Sequence, residues 1–322
     1  MAVAVALCVC AIALLIYING SPGNGENQLA GISATDIESN LRVHVQKLAN
    51  DIGERHFEAP NSLEQTIQYI ESKFVDYGYT PQKHPVAADY FNIVAEKKGN
   101  LEPDKIIVIG AHFDTVWLSP GADDNASGIA VLLELAHIMA KYDTDNTIRF
   151  VAFTNEEQPF ANTELMGSRV EAVNSARKQE NIDVMFSLEM LGFYSSEPGS
   201  QHYPSPLNWF YPDTADFIAM ISNISSAQSL LSALHEYRKQ ATFPMQGLIM
   251  SEKLVPDIRR SDHAQYWDVG YPAIMITDTA FYRNPYYHTV GDLPRMLDYR
   301  SMANVTLGLA GMTLGFAGKS GH

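Results

Sequence analysis

The sequence predicts an α/β domain, a mostly parallel sheet with helices on both faces. Three observations predict it. Strand-like runs alternate with longer segments of helical periodicity from residue 36 to residue 316, the signature of βαβ units. Two of the runs, KIIVIG at 105–110 and Thr147–Phe153, are nearly continuous in apolar residues, as strands buried on both faces are. The 322 residues are 46% apolar and only 18% charged, which fills a sizeable core and is far from the composition of a disordered chain.

Met1–Ile18 contains no charged side chain. Eighteen apolar residues sit at the lower limit for crossing a bilayer, so residues 1–20 read as a signal peptide or a membrane signal-anchor. No basic residue precedes the run, and Asn19-Gly20-Ser21 is a poor match to a small-x-small cleavage site, which favours an uncleaved anchor. The flank is acidic and the first basic residue is Arg42, so charge gives no strong orientation. Export of the main domain, to a periplasmic or extracellular location, is the natural reading. Residues 21–34 are rich in Gly, Asn and Ser and read as a linker.

The domain proper runs from 35 to 322. A helix is expected from Asp36 to about Ile52, capped by Thr35 or Asp36, and a second, capped by Asn61, to about Tyr77, ending at Gly78. Phe91–Glu96 and Lys105–Gly110 read as strands, and Ser127–Tyr142 as a helix with Ile129, Leu132, Leu133 and Ala136 on one face. Then come strand Thr147–Phe153, helix Glu164–Lys178 and strands Asp183–Leu188 and Ala273–Ile276. A last helix, Tyr299–Phe316, carries Val305, Leu309, Met312 and Phe316 at helical spacing. Between Phe193 and Arg260 the alternation loosens, with Pro204, Pro206, Pro212, Pro244 and Pro256 and two helices near Thr214–Ser222 and Ser226–Lys239. This stretch, about 193–260, reads as an insertion or lid on one domain.

Lys and Arg number 22 against 37 Asp and Glu, a net charge of −15. That excludes nucleic acid as the main partner, since phosphates need a basic footprint, and argues against an anionic membrane surface. It suits metal ions, or substrates with a free amine. The two cysteines, Cys8 and Cys10, both precede the domain, which therefore has no disulfide framework and no thiolate zinc site. Any metal must be held by His, Asp and Glu.

Ligands of open parallel sheets bind at the carboxyl ends of the strands. There the sequence places His112 and Asp114 after KIIVIG, Asp123-Asp124-Asn125 at the next helix start, Glu156-Glu157 after RFVAF and Glu189 after DVMFSL. Thr277-Asp278 follows AIMI, with Tyr286-Tyr287-His288 soon after. Buried unpaired carboxylates are costly, and bound cations would neutralise them. The set suits two adjacent zinc ions, which take imidazole nitrogen and carboxylate oxygen and share a bridging carboxylate. It offers His112, His288, Asp124 or Asp123, Glu157 and Glu189, with Glu156 left over as general base. Ser261-Asp262-His263 reads as a helix cap and pocket wall or as a further ligand group, and Arg259 and Arg260 as solvated or as a clamp for a substrate carboxylate. Tyr282, Tyr286, Tyr287 and Trp267 read as pocket walls or as core.

GAHFDT, GADDNASG, NEE, LEMLG and YYHT, in this order and spacing, resemble the M28 family of zinc-dependent exopeptidases over roughly Ile106–Phe316. The resemblance implies a three-layer sandwich whose mixed, mainly parallel sheet has about eight strands, and an aminopeptidase acting on peptides with a free amino terminus. It implies two zinc ions per chain, with His112 on the first zinc, oriented by Asp114. Asp124 then stands as the bridging carboxylate, rather than Asp123, with Glu157 and His288 on the second zinc and Glu156 as catalytic base. Glu189 stands where many members have Asp, the one departure among the ligands. Tyr287 resembles a Tyr that helps polarise the scissile carbonyl. Two rivals share the fold: a glutaminyl cyclase-like acyltransferase with one zinc, and a non-catalytic ectodomain.

Overall fold

The computed structural model describes Ile18, Leu29, residues 31–205 and residues 207–318. The apolar run expected to enter a membrane lies outside these residues except for Ile18. No helix among the described residues is long and apolar enough to cross a bilayer.

Eight strands form one mixed sheet: β1 Gln82–Ala87, β2 Tyr90–Lys97, β3 Glu102–His112, β4 Asn146–Phe153, β5 Asn181–Glu189, β6 Ile218–Ser222, β7 Met245–Ile249 and β8 Ala273–Thr277. Their order is β1-β2-β4-β3-β5-β8-β6-β7. The four central strands, β4-β3-β5-β8, are parallel, and β2 and β6 flank them antiparallel. Along β3 the pleat sends Ile107, Ile109 and Ala111 to one core and Ile106 and Val108 to another. That is why KIIVIG shows no polar alternation.

The larger core lies under α1 Ala34–Val45, α2 Pro60–Asp76, α3 Gly128–Met139, α5 Ala227–Gln240 and α7 Tyr299–Ala317. The opposite face packs against α4 Gly167–Arg177 and α6 His263–Asp268, through Ala172, Ala264, Tyr266 and Trp267. These are the two helical layers of a three-layer sandwich. Truncating a fully buried aromatic such as Phe186 to Ala would cost about 3–5 kcal/mol.

The helix expected over 36–52 begins at Ala34 and changes to a π-helical turn, Gln46–Ile52, that ends at Gly53. Its cap is Ser33, whose hydroxyl accepts from the Asp36 amide at 3.4 Å, and neither Thr35 nor Asp36 caps it. The helix expected over 214–222 is instead strand β6. IAMIS is too short for periodicity to separate helix from strand, and hydrogen bonding to β8 and β7 decides it. The proline-rich segment thus supplies β6, α5 and β7 to the sheet, together with a turn at Leu207–Trp209.

The chain leaves β3 to build β4 on one side and returns to build β5 on the other. The carboxyl ends of β3, β4, β5 and β8 therefore open on a crevice at a topological switch point, where open α/β sheets bind their ligands.

Candidate metal centre

Sharp turns at the strand ends aim the side chains into the crevice. Asn155, Met190, Thr279 and His288 all adopt positive φ without being glycine, a conformation that needs support from its surroundings. Gly121, with φ 61°, starts the turn that carries Asp123 and Asp124, and a Cβ there would collide with the Asp124 carbonyl and the Arg55 guanidinium. Arg55 is fully buried and clamps this loop, donating to the carbonyls of Phe113 at 2.8 Å, Pro120 at 2.8 Å and Gly121 at 2.9 Å.

Asp124 sits at the centre. One of its oxygens is 3.4 Å from His112 Nε2 and the other 3.0 Å from His288 Nε2. His112 also faces Glu189 at 3.3 Å, and His288 faces Glu157 at 3.0 Å. Two triplets result, His112–Asp124–Glu189 and Asp124–Glu157–His288, each with ligand atoms within 4.8 Å of one another. The two share Asp124. Asp123 points away: its oxygens accept from the Gly192 amide at 2.8 Å and from Asn284 Nδ2 at 2.7 Å. The Asp292 carboxylate accepts from the amides of Asp123 at 2.8 Å and Asp124 at 3.1 Å.

The supporting shell fixes how each group is presented. Asp114 accepts from the amides of Glu156 at 3.1 Å and Glu157 at 3.0 Å, which joins the end of β4 to β3. The Asp114 carbonyl lies 3.2 Å from His112 Nδ1 and its carboxylate 3.6 Å, so in the neutral ring Nδ1 carries the proton and Nε2 faces the crevice. Glu189 accepts from the Ser261 hydroxyl at 2.6 Å. Tyr287 stacks on the His288 ring at 3.7 Å.

Charge is unbalanced here. Burial raises Glu157 to about 7, with Asp124 adding to it. Burial and the neighbours Glu157, Glu189 and Asp262 hold Glu156 well above the usual carboxylate range, against the pull of His112. Burial opposes protonation of both histidines, yet Glu189 and the carboxylates of Asp114 and Asp124 push His112 far up, and Asp124 and Glu157 bring His288 to about 10. His112 Nε2 is buried with no hydrogen-bond partner among the described residues. An orphaned imidazole nitrogen between two carboxylates, amid more carboxylates than imidazoles to pair with them, fits divalent cations with nitrogen and oxygen ligands. Zinc is such an ion.

Other residues singled out from the sequence fall differently. Arg259 pairs with Glu252 and with Asp268 at 2.7 Å, away from the ligands. Arg260 pairs with Asp257 at 3.0 Å and lines the pocket. Asp262 precedes α6 but caps nothing; both its oxygens are buried without a hydrogen-bond partner among the described residues, and burial raises it to about 7. His263 donates from Nε2 to the Ile258 carbonyl at 2.7 Å. Trp267 belongs to the core, while Tyr282 and Tyr287 line the pocket. Arg55, Asn284 and Asp292 were not foreseen. The one signal for Asp292 is its position four residues past His288.

Beside the ligands a pocket of about 130 Å³ runs over the sheet face toward the β7 edge. Its walls include Ala219, Ile221, Leu248, Ile258 and Met275, and Tyr203, Leu207 and Tyr211 come from the turn region between β5 and β6.

The model of peptidase family M28 matches residues 92–313, more than two thirds of the sequence. The chain belongs to peptidase family M28. A relative, the uncharacterized protein YfbL of Escherichia coli K12, is 39% identical over 84% of the chain and 85% of its own length. Three proteins from Pyrenophora and Phaeosphaeria called probable zinc metalloproteases are 26–31% identical, and the match spans 37–59% of their length. Among solved structures, the LapA aminopeptidase of Legionella pneumophila superposes with a TM-score of 0.67 at 19% identity, over 89% of this chain and 74% of that one. A glutaminyl cyclase of Bacteroides thetaiotaomicron, bound to N-acetylhistamine, superposes with a TM-score of 0.63 at 16% identity, over 85% and 96%. At such identity the likeness shows the fold alone. The family and the eight-stranded α/β fold expected from the sequence hold, and a zinc-dependent hydrolase of the aminopeptidase kind agrees with these relatives.

Proposed function

We propose that the chain is an exported two-zinc aminopeptidase that hydrolyses the bond after the first residue of a peptide. One observation carries the reading: the two Asp124 oxygens face two different histidines, each backed by its own glutamate. On this reading His112, Asp124 and Glu189 hold one zinc, and Asp124, Glu157 and His288 the other. Bound there, zinc would polarise the scissile carbonyl and lower the pKa of water.

The remaining work falls to side chains of this chain. Glu156 is the carboxylate in the crevice that no ligand role requires. It takes a proton from the attacking water and passes it to the leaving amine. Asp114 keeps His112 in the tautomer that exposes Nε2 and ties the Glu156 and Glu157 amides in place. Burial and the surrounding carboxylates raise the Tyr287 phenol, so it stays protonated and donates a hydrogen bond to the developing oxyanion. The acidic crevice attracts the substrate's amino group. The apolar pocket receives the first side chain; a cavity of about 150 Å³ holds a benzene-sized group, and this one is of that order at about 130 Å³.

The cyclase-like rival requires one zinc, and the non-catalytic rival requires none for its role. A panel of free and N-acetylated peptides and aminoacyl amides, with and without chelator, tests the proposal. It expects cleavage of free-amine substrates only, abolished by chelation and restored by zinc. Cyclisation of amino-terminal Gln, or cleavage indifferent to acetylation, would contradict it.

Export and anchoring through residues 1–18 complete the proposal, resting on the uncharged apolar run.

A further inference from the structure

The β7 edge brings together three features. Ile18, the last residue of the apolar run, is 4% exposed and packs on Gly247 of β7, where a Cβ would come within 3.2 Å of the Ile18 Cβ and 2.9 Å of Leu234 on α5. The carbonyl of the same glycine accepts from the Tyr211 hydroxyl at 2.8 Å. The two residues just before Tyr211 are Trp209, 77% exposed, and Phe210, 52% exposed. Two neighbouring exposed aromatic rings form an apolar patch of the kind that serves as a docking surface.

The position of Ile18 says what meets it. Consecutive Cα atoms are about 3.8 Å apart, so a run that enters a bilayer just before Ile18 brings the β7 edge to the bilayer surface. The Leu207–Tyr211 turn is fastened to that same edge. Trp and other aromatic rings with an apolar body favour the headgroup level of a membrane. The net charge of −15 disfavours anionic lipid and leaves zwitterionic headgroups as the matching surface.

We propose that the Leu207–Tyr211 turn rests on a zwitterionic bilayer beside the anchor, with Trp209 and Phe210 in the headgroup region. Leu207 and Tyr211 also line the pocket next to the metal ligands. The inference rests on the reading that the apolar run ahead of Ile18 enters a membrane.

The test uses the full chain reconstituted into phosphatidylcholine vesicles whose acyl chains carry bromine, which quenches nearby tryptophan. The chain has three tryptophans, Trp117, Trp209 and Trp267. Vesicle flotation reports the anchor, and quenching reports the turn. The inference expects co-flotation and quenching that falls at least about twofold in Trp209→Phe but not in Trp117→Phe, because only one of the two exposed rings sits at headgroup level. Cleavage of a soluble aminoacyl amide in detergent should be unchanged in Trp209→Phe. Co-flotation with equal quenching in wild type and Trp209→Phe would overturn the inference and leave the anchor standing. Failure to float would overturn the anchor and this inference with it, while the soluble-substrate assay judges the peptidase reading separately.

Discussion

The molecule buries ionisable groups in two places and treats them in opposite ways. Under the helical layer, His44 lies between the Tyr69 hydroxyl at 2.7 Å and the Tyr77 hydroxyl at 3.2 Å, and burial lowers it to about 3. Nearby Glu134 accepts from Asn40 at 3.2 Å, and burial raises it to about 7. Burial works against the charge of both groups, and neither His137 Nδ1, 3.5 Å from Glu134, nor Lys141 offsets it. In the crevice, His112 and His288 are pushed up and Asp124 is held below the usual carboxylate range against the cost of burial, by its bonds to those histidines. Those three groups hold one another charged, while the crowded carboxylates Glu156 and Glu157 are pushed up beside them. A cluster that neutralises itself is packing. A cluster whose carboxylates outnumber its imidazoles, and push one another up for want of a counter-charge, is a place for cations.

The comparison breaks most visibly at Glu156. Glu156→Gln keeps the shape but cannot take a proton, and kcat for a free-amine substrate should fall about 10²–10⁴-fold with metal content unchanged. If the variant instead loses metal while Glu157→Gln keeps it, the two roles are exchanged. Glu189 comes next. Loss of a ligand should lower zinc affinity at the His112 site, so Glu189→Ala should cut activity at least about 10-fold at limiting zinc, whereas Glu189→Asp keeps part of both. Equal metal affinity in Glu189→Ala and wild type would place Glu189 outside the ligand set.

A smaller effect is expected at the pocket wall. Ala219→Leu adds bulk to the sheet-face wall. It should shift kcat/KM about 10-fold from large toward small first residues, as the addition of methylenes to an apolar site does. Unchanged preference would remove the first side chain from this pocket.

The smallest effect sharpens the other half of the comparison. Glu134 binds its proton more tightly in the folded than in the unfolded chain, so the folded state carries more protons between about pH 4.5 and about 7, and stability should fall as pH rises through that window. Glu134→Gln should remove a slope amounting to roughly 1–3 kcal/mol, read as the difference between variant and wild-type chemical denaturation at pH 5 and pH 7.5. Parallel curves at both pH values would show that Glu134 keeps its charge after all.

How legible each region was in the sequence follows from where its information lies. Of the candidate ligands, Glu189 and His112 were the most legible, because each ends a strand that carries its own signal, DVMFSL and KIIVIG. Asp124 rather than Asp123 faces both histidines, because Asn284 and the Gly192 amide occupy Asp123, contacts made by residues far along the chain. Arg55 was not legible at all, since its partners are carbonyls, which leave no trace in a sequence. The pocket side was read least well. β6 and β7 are five residues each, and their state is set by pairing across the sheet edge rather than by local pattern. His44 and Glu134 show the limit from the other direction: as residue types they resemble site residues, and only their neighbours reveal that they neutralise.

The claim of a two-ion crevice is tested most directly by titrating the metal-stripped full chain with zinc and counting bound ions by elemental analysis. Two triplets sharing Asp124 predict two zinc ions per chain, both lost in His112→Ala, His288→Ala double variants. A stoichiometry that stops at one with zinc in excess would contradict the account.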